Sequence, residues 1–177
     1  METVSTVRAT EPLPLYSDTT ARELMKRLYD LQEERVQTYK LFEEGFQAYL
    51  KGSPNYNFNM YRQLVHEITQ TFNKISQDIL AVQIALSERH NMSTVASLIS
   101  KIQEEEKTKL ELTAKLQISR QNNIDHPAEE LHSQEITATK QRIQEVVDHI
   151  VELLEELKYE TEDLYLEDGS KVPEIDR

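Results

Sequence analysis

Apolar residues recur with heptad spacing in four long stretches of the chain, and all five prolines lie outside these stretches. Spacings of three and four residues place such side chains along one face of a helix. The pattern predicts four helices, over residues 21–51, 58–87, 94–119 and 128–165. The clearest stripe belongs to the second helix and consists of Tyr61, Leu64, Ile68, Phe72, Ile75, Ile79, Val82 and Leu86.

Residues suited to helix ends lie between the stretches. Thr20 and Glu23 have the spacing of a capping box at the start of the first helix. Gly52 and Pro54 end that helix, and Ser93 is a candidate N-cap for the third. Since the intervening loops are short, neighbouring helices are expected to run antiparallel.

These features predict an all-α protein, an elongated antiparallel four-helix bundle with coiled-coil-like packing. The bundle domain covers residues 19–165, between a flexible tail at 1–18 and an acidic tail at 166–177. An alternative is a pair of helical hairpins that pack together only in a dimer, and the pattern is compatible with a homodimer. The low content of turn residues, with only three glycines and five prolines, favours helices, because sheets need many turn residues.

Composition narrows the function classes. The formal net charge of −12 disfavours direct binding to nucleic acid, whose phosphates an acidic surface repels. The absence of cysteine excludes disulfides, thiol nucleophiles and cysteine-ligated metals. No signal peptide and no apolar run of about 20 residues is visible, so we expect an intracellular protein, nuclear or cytoplasmic, without a membrane anchor.

Charged residues interrupt two of the apolar stripes at mid-height. Arg35 occupies a stripe position in the first helix, and Glu105 and Lys109 occupy stripe positions in the third. The first and third helices of an up-down bundle are parallel, so Arg35 and Glu105 should lie at similar height. Because a lone buried charge is costly, we expect a structural polar layer in which Arg35 and Glu105 approach each other and Lys109 competes for the carboxylate. The alternative is a polar groove that binds a ligand.

The residues predict neither a cofactor nor an enzyme. Carboxylate-bridged di-iron bundles need two Glu-x-x-His pairs from different helices, and only Glu129 and His132 have that spacing. The five histidines are therefore interpreted as surface residues, and no metal or catalytic residue is predicted. Aromatic residues surround the first hairpin turn, where they either anchor a partner or, as we favour, pack to close the hairpin; they are Phe42, Phe46, Tyr49, Tyr56, Phe58 and Tyr61.

Short segments of the first two helices resemble a known family. They are Arg22-Glu23-Leu24, Leu31-Gln32-Glu33-Glu34-Arg35, Glu43-Glu44-Gly45, Tyr49-Leu50, Tyr56, Tyr61-Arg62, Val65-His66-Glu67-Ile68-Thr69-Gln70 and Ile79-Leu80-Ala81-Val82. Their order and spacing resemble those of the "required for excision 1-B" domain family. The resemblance extends from Thr20 to Leu86, and more loosely, as helical pattern, to Leu164. It implies a part in DNA excision repair and implies no catalytic residue, cofactor or ligand.

Three functions follow as hypotheses. The first is a non-enzymatic helical protein-interaction module that acts in DNA excision repair through protein partners. The second is a coiled-coil structural subunit of another intracellular assembly, with no role in repair. The third is a metal or small-molecule enzyme, which the missing second Glu-x-x-His pair argues against.

Overall fold

The structure, a computed structural model, describes residues 18–166, which form four long helices and a short fifth. The helices are α1 (Ala21–Leu50), α2 (Phe58–His90), α3 (Ser93–Asp125), α4 (Glu130–Glu160) and α5 (Asp163–Leu166). The predicted tails at 1–18 and 166–177 lie outside the described residues, apart from Asp18 and Leu166.

Local side-chain chemistry begins the first two helices. The Glu23 amide donates to Thr20 Oγ1 at 3.2 Å and the Thr20 amide donates to Glu23 Oε2 at 3.1 Å, which confirms the predicted capping box. The Asn57 side chain accepts from the Met60 amide at 3.1 Å and caps α2 in the same manner. Both caps satisfy amides that have no partner within the helix.

Six ends of the four long helices differ from the sequence prediction by one to six residues; α2, for example, continues to His90. α3 starts one residue early, without a side-chain cap, because Met92 packs against the core there. It continues to Asp125, since no helix breaker precedes Pro127, whose ring disfavours helical geometry at His126. α4 ends at Glu160, and the buried Thr161 hydroxyl donates to the Leu157 carbonyl at 2.8 Å before α5 begins.

Consecutive helices pack against each other and form two hairpins. α1 packs along α2 in the first hairpin, α3 packs along α4 in the second, and a lesser contact between α2 and α3 joins them. The predicted all-α antiparallel bundle is confirmed. The connection between the hairpins lies at the end where α1 begins, called the proximal end below, and the turns within both hairpins lie at the opposite, distal end.

The apolar core is concentrated at the proximal end. There Leu24, Leu28 and Leu31 of α1 belong to one buried cluster with residues of α2, α3 and α4. A smaller cluster of Phe42, Ile68 and Phe72 lies nearer the distal end. Within residues 18–166, no helix combines the length and hydrophobicity that a membrane span requires.

Gly45 allows a close approach between the helices of the first hairpin. A Cβ atom at this position would lie 2.6 Å from Leu64 Cδ2 of α2. From the sequence, Gly45 is only a residue that weakens the helix. The structure shows that its lack of a side chain makes room for Leu64.

Candidate functional site

A buried arginine occupies the middle of the bundle. Arg35 lies on α1 and is only 3% exposed. Its guanidinium donates to Gln32 Oε1, to Gln103 Oε1 of α3 and, at 3.2 Å, to Ser76 Oγ of α2. Gln103 in turn donates to the Ser76 carbonyl at 3.0 Å. Arg35 thus links three helices through neutral acceptors.

The carboxylate of this layer belongs to Glu106. The Gln32 side chain donates to Glu106 Oε1 at 3.2 Å while it accepts from Arg35, so one amide bridges the two opposite charges. Glu106 is buried, and its Oε2 atom has no hydrogen-bond partner. Burial lowers the pKa of Arg35, and the nearby Glu106 carboxylate partly offsets that shift.

The predicted approach of Glu105 to Arg35 is corrected by the structure. Glu105 points towards α4, where His149 Nδ1 lies 3.1 Å from its Oε1. Arg35 instead contacts Gln103 of α3, and successive residues of a helix point about 100° apart. The contacts of α3 with the first hairpin run through Ile102, Glu106 and Leu110, so strict heptad spacing assigns the wrong carboxylate.

Lys109 lies in the same region, as a stripe position predicts. Its Nζ is 4.1 Å from the centre of the Tyr39 ring of α1, a cation–π contact between the hairpins. Burial lowers the pKa of Lys109, and the Glu106 carboxylate opposes that shift. Burial also raises the pKa of Tyr39 well above its usual range, with a further contribution from Glu106. The layer therefore combines two cations, one carboxylate and several neutral polar groups.

Three of the histidines, His90, His132 and His149, each contact a different residue and do not converge on one site. His132 Nε2 lies 2.9 Å from Glu129 Oε2, so the two residues of the Glu-x-x-His spacing contact each other. His90 Nε2 lies 2.9 Å from the Thr19 carbonyl oxygen. In residues 18–166, no set of three or more histidine and acidic side chains is arranged to hold a metal ion.

The aromatic residues of the first hairpin turn pack onto α3. The hydroxyls of Tyr61, Tyr49 and Tyr56 donate to Gln117 Oε1 at 2.7 Å, Gln121 Oε1 at 3.1 Å and Asp125 Oδ1 at 2.6 Å. Tyr49 and Tyr61 also stack, with ring centres 4.4 Å apart. Phe42 and Phe46 are buried, whereas Phe58 is exposed. Except at Phe58, these contacts match the favoured interpretation of packing at the hairpin end.

An open groove runs between α2 and α3 on the outer side of the polar layer. Ser76 and Gln103, which bind Arg35, contribute to its lining. The other lining residues are Asn73, Gln77, Leu80, Gln83, Ser100 and Glu104. Leu80 is 48% exposed, and Ile84, one turn further along α2, is 46% exposed. The sequence analysis raised a polar groove only as the alternative to the polar layer and did not identify these lining residues, although the glutamines near the stripes of α2 and α3 were a signal.

The fold and the polar layer define a class of protein, an all-α antiparallel bundle whose two hairpins meet through buried polar side chains. The family model described as DNA repair REX1-B matches residues 23–120, which cover α1, α2 and most of α3. The chain therefore belongs to the DNA repair REX1-B family. The match includes the polar layer and the groove, and it ends before α4.

Comparison with curated proteins supports this membership. The chain is 32% identical to a required for excision 1-B domain-containing protein of Bos taurus, over 83% of this chain and 80% of the bovine protein. It is 30% identical to the protein of that name from Mus musculus, over 83% of this chain and 85% of the mouse protein. It is also 25% identical to the heterochromatin silencing protein rss1 of Schizosaccharomyces pombe, over 78% of this chain and 98% of that protein. No solved structure gives a significant match.

Proposed function

We propose that this protein is a non-enzymatic protein-interaction module that acts in DNA excision repair. The observation that supports the proposal best is the groove between α2 and α3, with the half-exposed Leu80 and Ile84 beside it. These two apolar side chains are four residues apart, so they lie on one face of α2. A partner helix placed in the groove would cover them.

The chemistry of the groove suits a protein partner. Amphipathic helices bind in grooves between helices through apolar anchors spaced one turn apart. The amide side chains of Asn73, Gln77 and Gln83 can donate and accept hydrogen bonds at the edges of such a contact. The groove also lies entirely within residues 23–120, the part of the chain that the family model matches.

A non-enzymatic role fits the way the polar residues are used. Arg35 is held by three side chains, Lys109 lies over an aromatic ring, and Glu105 contacts His149. Each of these contacts joins different helices or stabilises a residue that does so. We therefore assign the polar layer to structure and orientation of the helices.

The proposed action in repair proceeds through proteins rather than through direct contact with DNA. A net charge of −12 repels phosphate backbones at long range. The names of the mammalian and yeast relatives refer to excision and to heterochromatin silencing, and both settings favour a nuclear location for this chain.

Proximity labelling in cells, compared between variants, tests the proposal. Leu80→Asp combined with Ile84→Asp should abolish labelling of the direct partner and reduce removal of ultraviolet lesions. The matched control is Leu131→Asp combined with Tyr159→Asp, two exposed residues of α4 outside the family match, which should preserve both. Far-UV circular dichroism establishes that both variants fold. Tight binding of the pure protein to damaged DNA at physiological salt, with no groove-dependent partner, would contradict the proposal.

A second candidate function is a structural role in chromatin without participation in repair. The resemblance to the yeast heterochromatin silencing protein, over 98% of that protein's length, favours it. Normal removal of ultraviolet lesions after deletion of the gene, together with loss of silencing, would select this candidate.

A further inference from the structure

The contact between the two hairpins changes in character along the bundle. At the proximal end it is apolar, and Leu28 and Leu31 of α1 belong to the same buried cluster as Val95 and Ile99 of α3. Met92 of the α2–α3 connection packs against that cluster. The proximal end is therefore held both by the chain itself and by apolar burial.

At the distal end the apolar cluster is smaller, and side-chain hydrogen bonds accompany the apolar contacts. Three tyrosine hydroxyls of the first hairpin, those of Tyr49, Tyr56 and Tyr61, donate to one face of α3. Their acceptors Gln121, Asp125 and Gln117 are spaced four residues apart, so they align along that face. We call these three hydrogen bonds the tyrosine latch.

Two further contacts accompany the tyrosine latch. Arg120 of α3 pairs with Glu43 of α1 at 2.9 Å and lies 4.8 Å from the centre of the Phe46 ring. Leu110 packs against the small cluster that contains Phe42. The distal contact thus combines hydrogen bonds and an ion pair with the buried rings of Phe46 and Tyr49 and with Leu110.

The distal hydrogen bonds and the proximal apolar contacts differ in the free energy that is needed to separate them. A hydrogen bond broken by separation is replaced by one to water, so its net contribution is modest. Separation of the proximal cluster would expose buried leucine and isoleucine side chains, for which water offers no compensation. The proximal cluster is the larger of the two, and the part of a fold that is held by fewer apolar contacts opens before the whole unfolds.

The chain topology places a hinge at the proximal end. The only covalent link between the hairpins within residues 18–166 is Asn91–Met92, where Asn91 adopts the left-handed conformation with φ 52°. The distal turns, residues 51–57 and 126–129, each close a single hairpin. The distal ends of the hairpins are consequently joined by side chains alone.

We propose that the two hairpins separate at the distal end about Asn91–Met92, and that the tyrosine latch holds them closed. Opening exposes the aromatic face of the first hairpin formed by Phe46, Tyr49 and Tyr61, which α3 covers in the closed state. This inference does not depend on the proposed function, because it concerns the isolated protein and its test includes no partner.

Distance measurement by double electron–electron resonance tests the tyrosine latch. The chain has no cysteine, so pairs of introduced cysteines accept spin labels selectively. A distal pair at Ala48 and Ala138 and a proximal pair at Lys26 and Ser97 use exposed positions on opposite hairpins. Each pair is measured in the otherwise unchanged chain and in the variant Tyr49→Phe, Tyr56→Phe, Tyr61→Phe, which keeps the rings and removes the hydroxyls.

The expected result is a second, longer distance for the distal pair, whose population rises about fivefold for each hydroxyl removed. The proximal pair should keep one narrow distance. Tyr159→Phe, which removes the hydroxyl of a 75% exposed residue on α4, is the control and should change neither pair. A single narrow distal distance in the triple variant would overturn the proposal. Equal broadening of both pairs would also overturn it, since that result indicates general loosening rather than a hinge.

Discussion

Replacement of Arg35 by methionine should destabilise the protein strongly. Methionine retains much of the side chain's apolar length but removes the charge and the donors to Gln32, Ser76 and Gln103. Glu106 is then left buried without the guanidinium that faces it through Gln32. Removal of one partner from a buried ion pair costs about 3–5 kcal/mol, a large part of the roughly 5–15 kcal/mol that a domain has.

A second substitution separates lost charge pairing from lost packing. In Arg35→Met combined with Glu106→Leu, no buried carboxylate remains without a partner, so the double variant should be more stable than Arg35→Met alone. Apolar replacement of both partners is often neutral or stabilising relative to the intact pair, so the double variant should recover most of the roughly 3–5 kcal/mol lost in Arg35→Met. Lys109 remains in the double variant, where its long side chain can move its ammonium group towards water.

Urea denaturation followed by far-UV circular dichroism measures both effects. The slope of the free energy against urea concentration should be unchanged, so that midpoints can be compared. Lys26→Met removes a 72% exposed cation paired with Asp30, and this control should cost less than about 1 kcal/mol. Glu106→Leu alone is measured as well. If Arg35→Met cost no more than the control, or if the loss in the double variant equalled the sum of the losses in the two single variants, the assignment of a coupled buried pair would be refuted.

Three further predictions concern helix ends, alkaline pH and helix packing. Thr20→Ala removes the N-cap of α1 and should cost about 1 kcal/mol in urea denaturation, whereas Thr20→Ser should cost little. Burial raises the pKa of Tyr29 to about 12, above the ordinary value near 10, so the folded state holds this proton more tightly than the unfolded state. The free energy of unfolding should therefore be unaffected by this group below pH 10 and should fall by about 1.4 kcal/mol per pH unit from 10 to 12. Tyr29→Phe should remove this part of the pH dependence. Gly45→Val should destabilise the fold by about 1–3 kcal/mol in thermal denaturation, because the new side chain would overpack against Leu64. Leu64→Ala in the same chain should recover part of that loss, and no recovery would show that the clash is not the cause.

The helices and their order were predictable because they depend on neighbours in sequence. The capping box of Thr20 and Glu23 involves residues three apart, and the stripe of α2 needs only the helical period. Where a helix end depends on tertiary contact, prediction was less accurate. Met92, which packs on the core, replaces Ser93 as the cap of α3.

The polar layer was predictable in position but not in composition. A charge at a stripe position, such as Arg35, indicates a buried polar partner at similar height on the parallel helix. Which of two adjacent glutamates faces inward depends on the rotation of α3 about its axis. Adjacent residues of a helix point about 100° apart, and the rotation of α3 turns Glu106 towards α1 and Glu105 towards α4.

The sequence by itself thus determined the number, approximate extent and antiparallel order of the four long helices, because periodicity, caps and breakers act over a few residues. Only the tertiary structure decided that Gln32 bridges Arg35 and Glu106, that a groove lies between α2 and α3, and that three tyrosines close the distal end onto α3. Apart from the bond between Arg35 and Gln32, those contacts join residues more than 25 positions apart, and they depend on the relative rotation and offset of whole helices. Such quantities are set by packing of the complete bundle and leave no short-range pattern in the chain.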